Sequence, residues 1–354
     1  MASGSFATRL LQWFSEHGRH DLPWQHPRTP YRVWVSEVML QQTQVSTVIP
    51  YFQRFLQRFP DLYSLAGAEQ DEVLALWAGL GYYARGRNLH KAAQLMAQNG
   101  IPEDQAGWAA LPGIGPSTAA AIIAQAYNQP AVILDGNVKR VMARHAGVDT
   151  PLEHKSTLDQ LWAAARERAC DQHPADYTQA IMDLGASVCR RSQPECERCP
   201  VAEDCYARLH HLQQDLPVRV RKKALPERNR VFLWLENPQG EVLLEQRPPS
   251  GIWGGLYSLP VVMTADEIEC SAQKWGLQLA AQPQRISHFG HRFTHFKLNA
   301  EVHYAPVSSS SAVSESQIRF VDPHDLADPE ISIALPKPLS RLFQQTYADK
   351  AKLL

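Results

Sequence analysis

Four cysteines, Cys189, Cys196, Cys199 and Cys205, fall within 17 residues in the spacing C-x6-C-x2-C-x5-C, while Cys170 and Cys270 stand apart. Four thiolates in one compact loop make a tetrahedral sulfur cage, and soft thiolate sets select zinc or an iron–sulfur cluster. Zinc ribbons pair two short C-x2-4-C knuckles, and here only Cys196 and Cys199 make one. The spacing therefore leans toward a [4Fe–4S] cluster, with zinc as the alternative. Ligating rather than disulfide-bonded cysteines fit a reducing compartment. Met1 to Phe14 shows no secretory signal pattern, and no apolar segment approaches the ~20 residues of a membrane span. A cytoplasmic location is expected.

The loop divides two kinds of sequence. From Phe6 to about Cys189, apolar residues recur three and four apart, in stretches such as Val33–Ile49, Thr118–Tyr127 and Val138–His145. Proline and glycine separate these stretches, so the first half reads as an all-α domain. After Cys205 a charged, proline-bounded stretch around Asp215–Lys223 reads as a linker. Beyond it Val231–Leu235, Val242–Leu244 and His295–His303 read as strands, with Asn237–Gly240 as a hairpin turn. Thr264–Trp275 and Leu339–Tyr347 read as helices. A chain of 354 residues supports two cores, and the expected boundaries are 1–215 for the helical domain with its cysteine loop, 216–228 for the linker and 229–354 for an α+β domain. The net charge of -1 gives no whole-chain footprint of a polyanionic partner. A nucleic-acid surface would be local, and the basic runs Arg190-Arg191 and Arg219, Arg221, Lys222 and Lys223 are of a kind more often solvated linker than binding patch.

Two acidic residues stand in unusual settings. Glu37 lies in the strongly apolar stretch Val33–Leu40, in a narrow polar stripe with Gln41 and Gln44. Burial there raises a carboxyl pKa, which suits a general acid. Asp135 opens the helix that begins at Gly136, where capping donors and the helix dipole favour the anion. A surface glutamate and a plain cap are the ordinary alternatives. Upstream of Asp135, the turn Leu111-Pro112-Gly113-Ile114-Gly115-Pro116-Ser117 joins two helical stretches. Its glycines allow a tight turn that leaves amide N–H groups bare at a helix start, a phosphate-binding arrangement.

A helix–hairpin–helix with an aspartate 20 residues after Gly115, closed by cysteines at this spacing, resembles the endonuclease III superfamily of DNA glycosylases. Within it, Ser36–Val45, Gly79-Leu80-Gly81-Tyr82-Tyr83-Ala84-Arg85 and Leu134–Arg140 are similar to the MutY branch, the adenine DNA glycosylases. The resemblance implies an all-α helix–hairpin–helix glycosylase domain with an iron–sulfur loop and a C-terminal Nudix-like domain. It implies a monomer acting on double-stranded DNA that carries adenine opposite 8-oxoguanine or guanine, near the nucleoid of a bacterial cytoplasm. Glu37 would protonate adenine at N7, Asp135 would stabilise the oxocarbenium-like sugar, and Ser117 and Asn137 would complete the catalytic set. Splitting two carboxylates into acid and anion is the logic of glycoside hydrolysis. Ser117 stands where strand-cleaving relatives carry a nucleophilic lysine, so the resemblance implies base removal without efficient strand scission. Many MutY relatives have tyrosine there. Gln42, Thr43, Leu80, Tyr82, Gly113, Gly115 and Lys139 would contact DNA, with Tyr82 as a wedge beside the flipped-out base's partner.

In the second domain, Pro248–Tyr257 resembles the start of a Nudix-like fold. Thr264–Trp275 holds Asp266, Glu267 and Glu269 but no R-E-x-x-E-E run to hold magnesium, so nucleotide hydrolysis is not expected. Phe293, Thr294 and His295 resemble the family's 8-oxoguanine-sensing loop, with threonine where serine is usual.

Overall fold

The computed structural model describes residues 4–220, 224–308, 318–327 and 333–350. Arg221, Lys222 and Lys223 lie outside the described residues. The chain divides into two compact units, Met1–Gly67 with Asn88–Lys222, and Ala68–Arg87 with Lys223–Leu354.

The helices run in chain order as α1 Phe6–His17, α2 Pro30–Leu40, α3 Val45–Arg58, α4 Leu62–Ala66, α5 Gln70–Trp77, α6 Ala84–Asn99, α7 Gln105–Ala109, α8 Pro116–Tyr127, α9 Gly136–Ala146, α10 Lys155–Glu167, α11 Pro174–Asp183 and α12 Tyr206–Leu209. A π-helical turn, Leu184–Val188, extends α11 toward the cysteine loop. In the first unit α8 is the hub. Its run Ala119–Gln125 is buried, and small alanine side chains let α2, α7 and α11 approach it closely. Polar side chains start helices where the sequence supplies caps. Thr29 accepts the Arg32 N–H at the start of α2, and Asp135 accepts the Val138 N–H at the start of α9. Burying large side chains such as Trp34 and Trp108 contributes roughly 2–3 kcal/mol each.

The expected continuous helix across Val33–Ile49 is broken. α2 ends at Leu40 and α3 begins at Val45 because Gln42 adopts a left-handed φ of 60°. The polar stripe through Glu37, Gln41 and Gln44 is accordingly not one helical face. Gln41 is the C-cap of α2 and Gln44 the N-cap of α3.

In the second unit the strands are β1 Glu227–Glu236, β2 Val242–Gln246, β3 Tyr257–Ser258, β4 Val261–Val262, β5 Gln284–Arg292, β6 Lys297–Pro306 and β7 Ile318–Val321. Among the described residues they form one mixed sheet in the order β3-β2-β1-β6-β5, with β4 pairing β1 and β7 pairing β2. β1 and β6 are parallel from Glu227↔Lys297 to Glu236↔Pro306. Helices α13 Ile268–Lys274, α14 Pro323–Ala327 and α15 Lys337–Lys350 complete it. The expected strand His295–His303 starts later, because 293–296 is the turn between β5 and β6, closed by the Phe293 N–H donating to the Phe296 carbonyl at 2.9 Å. β5 itself escaped the sequence reading. It is an edge strand of exposed and half-buried residues, so it carries no apolar run. The expected helix Thr264–Trp275 is shorter, a 3-10 turn over Ala265–Glu267 leading into α13.

Candidate active site

Glu37 sits on α2 among the buried residues Val33, Trp34, Val35, Ser36, Val38 and Met39. Gln125, on α8 and only 3% exposed, donates its side-chain amide to Glu37 Oε1 at 2.8 Å. Desolvation lifts the Glu37 pKa from 4.5 to about 7, the Gln125 bond pulls it down, and the negative charge of Asp135 pushes it up. At neutral pH this carboxyl is therefore poised between its two protonation states, the condition under which a general acid is most effective. The fold thus brings the two acids within electrostatic reach of each other.

Asp135 is the N-cap of α9, accepting the Val138 N–H at 2.7 Å. The cap expectation holds, but its electrostatic consequence differs. Burial raises this carboxyl above its ordinary value, and outweighs the opposing Val138 and Asn137 N–H donors and the positive charges of Arg140 and Lys139. Capping donors alone had pointed to a depressed pKa. They do not fully offset desolvation once the neighbouring helices cover the carboxylate. Ser117, in the first turn of α8, accepts the Leu134 N–H through Oγ at 2.9 Å. Ser117 thus ties the hairpin to the segment that presents Asp135.

Of the hairpin glycines, Gly113 is required by geometry. Its φ is +78°, and a Cβ there would meet Asn88 Cβ at 2.9 Å. Gly115 has an ordinary φ of -90°, so the turn does not use its conformational freedom. Among the described residues nothing lies within 4 Å of where its Cβ would be, which leaves the N-terminus of α8 open to an approaching group. Among the described residues no side chain caps that terminus. Gln41 bridges to the hairpin, donating toward the Gly113 carbonyl at 3.4 Å and Thr118 Oγ1 at 3.3 Å. This leaves Gln42 exposed in its left-handed conformation, beside a half-buried Thr43.

Three residues that sequence reasoning missed organise the far side of Asp135. Arg140 donates from Nε to the Cys189 carbonyl at 2.7 Å, and from Nη2 to Asn137 Oδ1 at 2.9 Å and the Gly185 carbonyl at 2.6 Å. Asn137 therefore faces Arg140. One turn further along α9, Arg144 is 3% exposed. It binds the Leu216, Arg190 and Arg191 carbonyls and reaches Cys189 Sγ at 3.4 Å. Gly185, in the π-helical turn, lies so close to α9 that a Cβ would stand 2.7 Å from Asn137 Cβ. The spacing of Arg140 and Arg144 on one face of a helix starting at Asp135 was the available signal.

Cys189, Cys196, Cys199 and Cys205 are free and line one open pocket together with Arg144. Among the described residues no group of three or more His, Cys, Asp or Glu stands in a ready ligating arrangement. The donor set nonetheless fits a metal–sulfur group. It is all thiol, and burial together with the other cysteines pushes the Cys199 thiol up to about 12. Four such thiols become thiolates when a cationic centre compensates them.

In the other unit, Tyr82 is 43% exposed with a left-handed φ of 50°. A bulky residue there is strained, and strain of this kind concentrates at functional sites. Leu80 is only 6% exposed, so it supports the turn from beneath rather than presenting its side chain. At the β5–β6 turn, Phe293 stacks on Phe296 with centroids 4.5 Å apart. Thr294 and His295 are exposed at the tip, with Thr294 Oγ1 3.3 Å from His295 Nδ1.

Comparison with known proteins decides the family. An adenine DNA glycosylase of Buchnera aphidicola subsp. Acyrthosiphon pisum is 34% identical over 345 residues, covering 96% of this chain and 97% of its own. The adenine DNA glycosylase of Homo sapiens is 32% identical, over 88% of this chain and 68% of its own. This chain belongs to the adenine DNA glycosylase family. Residues 35–166 match the model of the HhH-GPD superfamily of base excision DNA repair proteins, and residues 231–345 match the NUDIX domain model. A thermostable thymine-DNA glycosylase shares the helical fold, with a TM-score of 0.53 and 24% identity over 58% of this chain and 95% of its own. As in the family, the reaction is hydrolysis of an N-glycosidic bond in DNA. No helix among the described residues is long and apolar enough to cross a membrane.

Proposed function

We propose that this glycosylase removes adenine paired with 8-oxoguanine or guanine and leaves an abasic site without efficient strand cleavage. The observation that carries the reading is the coupled acid pair, with Glu37 poised at about 7 beside Asp135. Protonated Glu37 gives its proton to N7 of the extruded adenine. The C1′–N9 bond then breaks with its electron pair leaving on the base, and Asp135 as anion stabilises the positive sugar. Water adds at C1′ and loses a proton. Gln125 holds Glu37 in place, while Arg140, Lys139 and the α9 amides keep the anionic form of Asp135 accessible. Ser117 has no amine to form a Schiff base, and its hydroxyl is committed to the Leu134 N–H.

The open N-terminus of α8 with Gly113 and Gly115, together with Lys139, contacts backbone phosphates. Exposed Gln42, beside Thr43, and exposed Tyr82 reach the helix stack, with Leu80 supporting Tyr82. Phe293, Thr294 and His295 read the oxidised guanine. Cys189, Cys196, Cys199 and Cys205 hold a [4Fe–4S] cluster that stiffens the loop beneath α9. The protein acts as a monomer at the bacterial nucleoid, and 1–215, 216–228 and 229–354 serve as catalytic domain, linker and lesion reader. The test is to incubate the protein with duplexes carrying adenine opposite 8-oxoguanine, adenine opposite guanine, or thymine glycol. Abasic sites on the first two that become breaks only after alkali are expected. Action on thymine glycol, or prompt breaks trapped by borohydride, overturns the reading.

A further inference from the structure

The segment Ala68–Arg87 belongs to the sheet-bearing unit, and two polar handles tie it there. Near its start, Asp71 accepts the Gln246 side-chain amide on Oδ1 at 3.0 Å and the Tyr257 hydroxyl on Oδ2 at 3.3 Å. At its end, the Arg87 guanidinium donates to the Gly254 carbonyl and, at 2.9 Å, to the Pro249 carbonyl. Between them Leu74 is wholly buried in the core with Phe232, Trp253 and Leu256.

The acceptor loop is shaped for this grip. Gly251, Trp253 and Gly255 all have positive φ, which is unusual for a tryptophan. A Cβ on Gly254 would meet the Pro249 carbonyl oxygen at 2.4 Å, and one on Gly255 would press on Arg87 Cδ at 3.3 Å. The backbone is wound so that two carbonyls converge on one guanidinium, and glycine is what lets Arg87 lie against it. The turn that carries Tyr82 is itself braced. Arg85, 9% exposed, donates to the Leu80 and Gly81 carbonyls at 3.3 and 3.2 Å, and Trp77 Nε1 donates to the Gly81 carbonyl at 3.2 Å. A rigid turn hung on two handles takes its orientation from the handles.

We infer that the loop 248–257 is a clasp for the Tyr82 turn, and that Arg87 and Asp71 are positioning residues that set how the opposite base is selected. The inference rests on the proposed wedge role of Tyr82. The C-terminal unit then governs base selection in two ways, through its own Thr294 tip and by aiming Tyr82.

The experiment uses the full chain with Arg87→Met, which keeps the aliphatic stem but removes both donors, and Asp71→Asn as a milder variant should the first fold poorly. Arg87→Lys, with one compact donor group, serves as partial rescue. Amide hydrogen exchange over 78–86 and the ratio of single-turnover excision opposite 8-oxoguanine to that opposite guanine are measured, alone and combined with Tyr82→Ala. Losing the charge-assisted bonds should speed exchange about tenfold and lower the ratio by up to about tenfold. Arg87→Lys should lie between, and Arg87→Met should add nothing in a Tyr82→Ala background. Unchanged exchange overturns the clasp. Faster exchange with an unchanged ratio, while Tyr82→Ala lowers it, overturns the positioning role. If Tyr82→Ala itself leaves the ratio unchanged, the wedge reading fails, and faster exchange in Arg87→Met still establishes the clasp.

Discussion

Glu37 and Asp135 are held by buried partners, whereas Tyr82 and Thr294 stand at exposed tips of the other unit. Gln125 and Val138 fix the carboxylates at 2.8 and 2.7 Å, and desolvation leads the causes raising both pKa values. Tyr82 keeps 43% of its surface open and a strained backbone, and the exposed Thr294 hydroxyl stands 3.3 Å from His295 Nδ1. The contrast fits the roles proposed for each place. Moving a proton onto a poor leaving group needs a carboxyl lifted toward neutrality, and at Glu37 burial does most of that lifting, with the Asp135 charge adding to it. Sensing a base in a duplex needs side chains whose hydrogen bonds are not already spent. Changes in the first region should therefore abolish turnover with little effect on the choice of opposing base, and changes in the second the reverse.

The largest effect should come from Glu37→Gln, which keeps an acceptor for Gln125 but cannot give up a proton. Single-turnover excision should fall about 10²–10⁴-fold, with the thermal midpoint nearly unchanged. In the parent protein, excision should decline as pH rises through about 7, where Glu37 loses its proton. Stability carries the same signature. Folding raises this pKa from 4.5 to about 7, so between those values the folded form binds more protons than the unfolded chain, and stability from this group falls as pH rises. A pH–rate profile that keeps its limb near 7 in Glu37→Gln would assign the limb to another group and break the comparison.

Next comes Asp135→Asn. Asparagine caps a helix about as well as aspartate, so α9 should survive while excision drops about 10²–10³-fold, the scale of removing one preorganised electrostatic partner. Circular dichroism and a single-turnover assay on the same sample separate the roles. Retained activity reduces Asp135 to a cap. Gly185→Ala probes the scaffold behind it. The new Cβ would fall 2.7 Å from Asn137 Cβ, and relieving that clash should cost about 1–3 kcal/mol of stability. The push passes to Asn137 and its Arg140 partner, so excision should weaken while the preference for the opposing base stays put.

These two regions were unequally legible in the sequence. The cysteine spacing, the Gly113 hairpin and the Asp135 cap are local patterns, each carried whole by a short stretch of sequence. The apolar neighbours of Glu37 announced its burial, because a helix with little polar surface has no solvent face. The rise in the Asp135 pKa was not visible, since it depends on which helices cover the carboxylate. Arg140 and Arg144 read as ordinary helix arginines until the π-helical turn and cysteine loop fold back onto α9. Nothing local in Ala68–Arg87 signals that Asp71 and Arg87 meet Tyr257 and Gly254. Leu80 and Tyr82 look alike in a glycine-flanked run, and only the left-handed turn at Tyr82 buries one and exposes the other.

The smallest effect should come from Thr294→Ala. The hydroxyl is exposed and, among the described residues, paired with nothing stronger than a 3.3 Å contact to His295 Nδ1, so its loss should cost the fold almost nothing. If that hydroxyl binds the oxidised guanine, excision opposite 8-oxoguanine should fall by the value of one neutral hydrogen bond, about 0.5–1.5 kcal/mol or roughly two- to twelvefold. Excision opposite guanine should not move, because guanine lacks the atoms that distinguish the lesion. Thr294→Ser then sharpens the point. It restores the hydroxyl without the methyl group, so a full return of the 8-oxoguanine preference assigns the reading to the hydroxyl alone. If both variants match the parent on both duplexes, the tip is only a turn between β5 and β6, and lesion reading falls to other residues.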